Sequence, residues 1–152
     1  MRLNAKTRYG IRTMLEIAMN DSLTGVYQKE VSERQEISLK YLDHIIHALK
    51  TAMLIRNVKG KKSGYVLRKS PENISLYDIY QAFEPAICVV DCLTGNEVCD
   101  RSGHCSAQGI YGDLNQLIIN YMQGITLQEL INKEVSLNPR TEPEPSKSVY
   151  QE

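Results

Sequence analysis

The hydrophobic pattern begins at KTRYGIRTMLEIAMN, residues 6–20, where Ile11, Met14, Leu15 and Ala18 recur at i, i+3, i+4 and i+7. That spacing lines one side of an α-helix with apolar groups. A turn is expected over Asp21–Gly25, followed by a short polar helix, QKEVSERQ, at 28–35. The next run, EISLKYLDHIIHALKTAMLI, puts Leu42, Ile45, Ile46 and Leu49 on one face. Its other face offers Lys40, Tyr41, Asp43, His44 and His47, and Ser38 stands where an N-cap belongs. Two helices joined by a short turn, the second polar on one side, predict a helix-turn-helix. The period then changes to strand-like at 54–58 and 65–68, around KGKKSG. Glycines there permit a hairpin turn and the lysines make its tip cationic. A helix-turn-helix followed by a basic hairpin predicts a winged helix.

Helical patterning resumes at NISLYDIYQAF, where Ser75 and Asp78 form a capping box and Ile74 can staple Ile79. This helix is expected to end near Glu84–Pro85. The segment CVVDCLTGNEVCDRSGHCSAQ, residues 88–108, holds all four cysteines, contains Gly95 and Gly103, and shows little periodicity, so it reads as a loop. A long helix is predicted over 107–123, with Ile110, Leu114, Leu117, Ile118 and Tyr121 along one side. Thr126 and Glu129 form a second capping box at the start of a short helix, TLQELINK. The tail NPRTEPEPSKSVYQE is rich in proline, nearly free of apolar residues, and expected to be disordered.

The predicted class is therefore mainly α. A winged helix-turn-helix DNA-binding region covers 1–84, with its wing at 54–68. A cysteine loop covers 85–106, a dimerisation helix and short terminal helix cover 107–133, and a disordered tail covers 134–152. A three-helix head has little core to spare for a further helix of about five turns. The economical partner is the same helix of a second subunit, packed antiparallel in a two-fold dimer.

Composition sharpens this picture. The absence of Trp and a single Phe against nine Tyr require a largely aliphatic core. No apolar run approaches the roughly 20 residues of a membrane span, and the N-terminus lacks the apolar segment of a secretory signal. A cytoplasmic setting is expected, in which thiols stay reduced. The net charge of zero conceals an asymmetry: residues 1–70 carry 14 Lys and Arg against 6 Asp and Glu, whereas 71–152 carry 4 against 12. The basic half suits a polyanion such as double-stranded DNA.

The start of a recognition helix meets base edges in the major groove, which assigns Lys40, Tyr41, Asp43 and His44 to that contact. Ser38 and the first-turn amides suit a phosphate. Lys59, Lys61 and Lys62 on the wing suit phosphates or a narrow minor groove, and Arg2, Lys6 and Arg8 can add backbone contacts. No nucleophile–base constellation, phosphate-binding glycine loop or paired-carboxylate motif is present, so an enzyme is not expected. Cys92, Cys99 and Cys105 are separated by six and then five residues on a loop free to bring them together. Thiolates bind soft metals and iron–sulfur clusters. This spacing is neither a zinc-finger nor a ferredoxin signature, so cluster or metal binding, a thiol redox switch and inert packing all stay open.

The runs MRLNAKTRYGIRTMLEIA, SERQEISLKYLDHIIHALKTAMLI, VKGKKSGYVL and ITLQELIN occur in one order, from Met1 to about Lys133. In them the chain resembles the IscR/NsrR/CymR family of bacterial winged-helix transcription regulators. The resemblance implies a homodimer on palindromic promoter DNA. In many members it also implies an iron–sulfur cluster on three loop cysteines, which by position are Cys92, Cys99 and Cys105. Neither [2Fe–2S] nor [4Fe–4S] is singled out. The first cysteine gap is six residues where five is usual. Gln108 stands where the iron–sulfur biogenesis regulator has a ligand His, and Arg8 where the nitric-oxide-sensing branch has a ligand Asp. The candidates left for a fourth ligand are His104, Cys88, Glu97, a partner residue or an exogenous small molecule. Cys88 sits where the family commonly has an aliphatic residue, which implies packing. On the wing, Lys59 replaces a common Arg and Lys61, Lys62 and Ser63 replace a glycine-rich tip. Charge is kept there, but the planar fork of arginine is lost.

The reading that results is a dimeric regulator whose promoter affinity is set by a cluster. Its rivals are a regulator of the same fold that senses thiol oxidation or a partner enzyme, and a small redox or cluster-carrier protein.

Overall fold

The computed structural model describes residues 3–20, 22–60, 63–95 and 99–139. Helix α1 spans Ala5–Met19, with Asn4 as its N-cap accepting from the Thr7 amide. Met14 and Ile17 are fully buried from this helix. Helix α2, Gln28–Gln35, ends at Glu36, which takes the left-handed conformation at φ 54°. Helix α3, Leu39–Thr51, begins at the N-cap Ser38 and buries Leu42, Ile45, Ile46 and Leu49, the four residues its periodicity selects. These helices share one core with Val26, Val31, Ile37 and Leu54.

The wing consists of β1, Ile55–Asn57, and β2, Tyr65–Leu67, antiparallel with Ile55 opposite Leu67 and Asn57 opposite Tyr65. Both strands are shorter than the pattern at 54–58 and 65–68 suggests. A third element, invisible in the pattern, completes the sheet. Val26 exchanges backbone hydrogen bonds with Tyr65 at 2.9 and 2.8 Å, and the Gly64 amide donates to Thr24 at 2.8 Å. The two backbones cross so closely that a Cβ on Gly64 would lie 2.5–2.6 Å from main-chain atoms of Gly25 and Val26. We therefore expect Gly64→Ala to cost about 2–4 kcal/mol, through overpacking and strained ladder bonds, read as a lower urea midpoint.

After a 3-10 turn at Pro71–Asn73 comes α4, Leu76–Gln81. Its Ser75–Asp78 capping box is present, and Ile74 and Ile79 are both fully buried. The helix stops three residues before the expected Glu84, in a turn that carries Phe83 onto the core. Asn4 also donates to the Glu84 carboxylate, tying the start of α1 to this turn. The cysteine segment is loop apart from a 3-10 turn at Asp91–Leu93. Helix α5, Ser106–Gly124, and helix α6, Leu127–Leu137, follow.

Helix α6 corrects one sequence expectation. It runs to Leu137 rather than stopping at Lys133, so residues 134–137 are helical and not tail. It also returns to the helix-turn-helix head, a packing that the sequence pattern leaves open. Leu127 and Ile131 are buried in the same core as Met14 and Ile17, and Val135 packs against it. Its entry is fixed by the Thr126–Glu129 capping box and by an antiparallel bridge between the two cap residues, Ser75 and Thr126. Leu76 donates to the Ile125 carbonyl and Leu127 to the Ile74 carbonyl, each at 2.8 Å. The remainder of the tail, 140–152, lies outside the described residues.

The hydroxyls of Thr7 and Thr13 are buried on α1 with no hydrogen-bond partner among the described residues. Replacing Thr13 with Val keeps the shape and removes an unpaired hydroxyl. The expected result is a gain of up to about 1 kcal/mol in chemical denaturation.

Candidate nucleic-acid interface and metal centre

Helix α3 turns Leu39, Lys40, Asp43, His44 and His47 outward as one exposed stripe. Ser38 is exposed at its head, with Oγ accepting from the Tyr41 amide at 3.3 Å. Tyr41, expected beside them, is half-buried instead. Its ring stands edge-on to Tyr9 at 5.5 Å between centroids, so much of it braces α3 against α1. Lys6, Arg8 and Lys59 are exposed, whereas Arg2, Lys61 and Lys62 lie outside the described residues.

Sequence reasoning missed what holds this interface in place. Glu16 of α1 is 8% exposed and gathers three side-chain donors. They are Arg34 at 2.8 Å, Gln35 at 2.9 Å and Asn20 at 2.8 Å. The hydrogen bond and charge of Glu16 hold Arg34 above the ordinary arginine range. Arg12 extends the network to the Gln35 side chain at 2.9 Å. Together these contacts lock α2 onto α1. From α2, Gln28 then reaches α3, its amide donating to the Asp43 carboxylate at 2.5 Å and to the Leu39 carbonyl at 3.3 Å. Asp43 is thus fixed as an acceptor on the outward face. Lone polar residues in an amphipathic helix give no sequence signal of such partners.

The cysteine loop connects α4 to α5. All four cysteines are free thiols, with Cys99 exposed and Cys88, Cys92 and Cys105 half-buried. Cys105 is the N-cap residue of α5 and offers no side-chain cap. Cys88 donates its thiol to the Val90 carbonyl at 3.0 Å, the behaviour of a packed, satisfied side chain. His104 is exposed, and Glu97 lies outside the described residues. Gln108 is half-buried in the first turn of α5. Among the described residues, no three His, Cys, Asp or Glu side chains converge closely enough to hold a metal ion. The donor set is the soft, thiol-rich one that clusters and soft metals take.

The loop also docks on α5. The Val89 amide donates to Asn115 Oδ1 at 3.1 Å. Ile87 is buried with Tyr80 and Met122 in a small second core, against which Ile118 and Ile119 pack. Burial pushes the Tyr80 phenol up, and its hydroxyl donates to the Ala86 carbonyl at 3.2 Å. Ile118, expected on the dimer face, therefore faces its own chain. The other four residues of that set stay open: Ile110 is 67% exposed, Leu114 47%, Leu117 65% and Tyr121 64%.

A helix-turn-helix with a three-segment wing and an outward polar recognition helix defines a winged-helix DNA-binding regulator. Comparison with known proteins narrows this further. The family model described as Rrf2, iron-dependent transcriptional regulator, matches residues 3–133, and the chain belongs to that family. The HTH-type transcriptional regulator IscR of Pectobacterium atrosepticum is 33% identical over 138 residues, covering 91% of this chain and 84% of that protein. Two solved structures share the fold. CymR (YrzC), the global cysteine regulator of B. subtilis, has a TM-score of 0.73 at 23% identity over 88% of this chain and 98% of its own. T. potens IscR has a TM-score of 0.73 at 24% identity, covering 91% of each chain. The protein is a transcription regulator. Among the described residues, no helix is long and apolar enough to cross a membrane.

Proposed function

We propose that this regulator is a homodimer whose affinity for promoter DNA is controlled by an iron–sulfur cluster held on Cys92, Cys99 and Cys105. The observation that carries the reading is the placement of all four free thiols on the one segment joining the DNA-binding head to α5. The resemblance to IscR and the iron-dependent description of the family support it. Cys105 at the N-terminal end of α5 lies where a helix favours nearby negative charge. His104 and Cys88 are the candidates for a fourth ligand, and the satisfied thiol of Cys88 favours His104.

A bound cluster supplies iron–thiolate bonds that oxygen, nitric oxide or iron shortage can break. The rest is done by the chain. Among the described residues no three His, Cys, Asp or Glu side chains converge on one point, so ligation would bring the cysteines together and fix the loop. The loop rests on the face of α5 that carries Ile118 and Met122. The next stripe of the same helix, Ile110, Leu114, Leu117 and Tyr121, supplies the subunit interface. Ordering the loop thereby fixes the two heads relative to one another. Two recognition helices must stand about one DNA turn apart, roughly 34 Å, to enter successive major grooves.

Anaerobic isolation followed by absorption spectroscopy and iron and sulfide analysis tests the reading. A coloured, iron-containing protein whose promoter binding changes when the iron is removed is expected. A colourless, iron-free protein with normal promoter binding would refute it. The exposure of Cys99 favours a second reading, in which the thiols themselves are the sensor. Reversible oxidation at these cysteines, with a parallel change in promoter binding and no iron, would identify that case.

A further inference from the structure

We propose that Asn115 is a positioning residue, the clasp through which the cysteine loop sets the angle of α5 to the DNA-binding head. The inference rests on the dimer reading above. Helix α5 is held at its C-terminal end by the head and along its length by α4 and the cysteine loop, whose 3-10 turn at Asp91–Leu93 also lies against it. Its C-terminal end is fixed by the paired backbone hydrogen bonds Leu76–Ile125 and Leu127–Ile74. Its middle is held by Asn115, which accepts from the Val89 amide at 3.1 Å, while the small apolar core of Tyr80, Ile87 and Met122 lies nearer the pinned end. With one end pinned, the contact at mid-helix decides the tilt. That contact belongs to the loop, because Val89 directly follows Cys88 and lies three residues before Cys92.

The chemistry of the clasp suits a switchable part. An apolar contact tolerates sliding, whereas a single amide–carbonyl bond has a defined length and direction. It sits on a half-buried side chain, where it is screened less than at an open surface. Its net strength is small, so order or disorder in the loop can make or break it. Asn115 directly follows Leu114 of the exposed stripe, so any rotation of α5 at this point turns the subunit interface with it.

Two variants separate this role from general support of the fold. Asn115→Ala removes the acceptor while leaving a strong helix former. Asn115→Asp keeps an oxygen acceptor in the same place. All three proteins are assayed without a cluster, on a duplex selected by the wild type from a random pool and on the same duplex with one half-site scrambled. The amide exchange of Val89 is followed in parallel. The expected results are exchange about five- to tenfold faster in Asn115→Ala, and affinity for the intact duplex weakened at least about tenfold. Single half-site binding stays within about twofold, and Asn115→Asp matches the wild type in every measurement. Unchanged Val89 exchange in Asn115→Ala overturns the clasp, as does an equal loss on both duplexes. If the wild type itself gains nothing from the second half-site, the dimer reading fails. The exchange comparison between Ala and Asp still decides whether Asn115 holds the loop.

Discussion

Replacing Leu117 with Glu is expected to convert the protein to a monomer and to weaken promoter binding by roughly two to four orders of magnitude. Leu117 is 65% exposed at the centre of the stripe formed by Ile110, Leu114 and Tyr121, whose spacing of four, three and four residues is that of a helix–helix seam. In a two-fold dimer each substitution acts twice, once per subunit. Burying a leucine is worth about 1.5–3 kcal/mol, so losing two weakens association by roughly 3–6 kcal/mol before the carboxylates are counted. Helix α5 keeps its own fold, because Ile118, Ile119 and Met122 hold it to α4 from another side. Light scattering with size exclusion reads the mass, and circular dichroism should show unchanged helicity. A dimer that survives with full promoter affinity would assign the stripe to some other partner.

The second large effect is expected at the loop. Cys92→Ala, Cys99→Ala and Cys105→Ala should each remove visible absorption and protein-bound iron, while Cys88→Ala should keep both. Removing a hydrogen-bond partner of a metal ligand typically costs about 10–100-fold in metal affinity, so loss of a thiolate ligand must cost more than that. Cys88 differs because its thiol is already satisfied by the Val90 carbonyl. Its replacement by Ala costs packing and one weak thiol hydrogen bond, about 1 kcal/mol for a half-buried side chain of this size. Anaerobic purification of the four variants beside the wild type, with iron quantified per subunit, decides the assignment. Bleaching in Cys88→Ala would make it the fourth ligand.

The parts of the fold that were legible in the sequence are those set by short-range periodicity. Leu42, Ile45, Ile46 and Leu49 announce the buried face of α3, and Ser75 with Asp78 and Thr126 with Glu129 announce two helix starts. Caps and amphipathic stripes are local, because the groups that satisfy one another lie three or four residues apart. The glycines and lysines at 59–64 likewise mark a basic turn between strands.

Contacts between distant residues were not legible. The Thr24–Val26 segment joins the wing through backbone groups, which every residue possesses and no side-chain pattern reports. The network of Glu16, Arg34, Gln35 and Asn20 looks, along the chain, like ordinary charged surface. Ile118 could not be told from Leu117 by spacing, since both fit a broad apolar stripe. Only the packing of α4 against α5 divides that stripe into an inner and an outer face.

The sequence by itself determined a winged helix-turn-helix, its outward polar helix, its cationic wing and the gathering of four cysteines between two helices. All of these follow from side-chain order over a few residues. The tertiary structure decided where α6 goes, which side of α5 stays open, and that the cysteine loop is fastened to α5 at Asn115. Those outcomes depend on which apolar faces bury one another once the chain has closed on itself, a competition among distant surfaces that no local window contains.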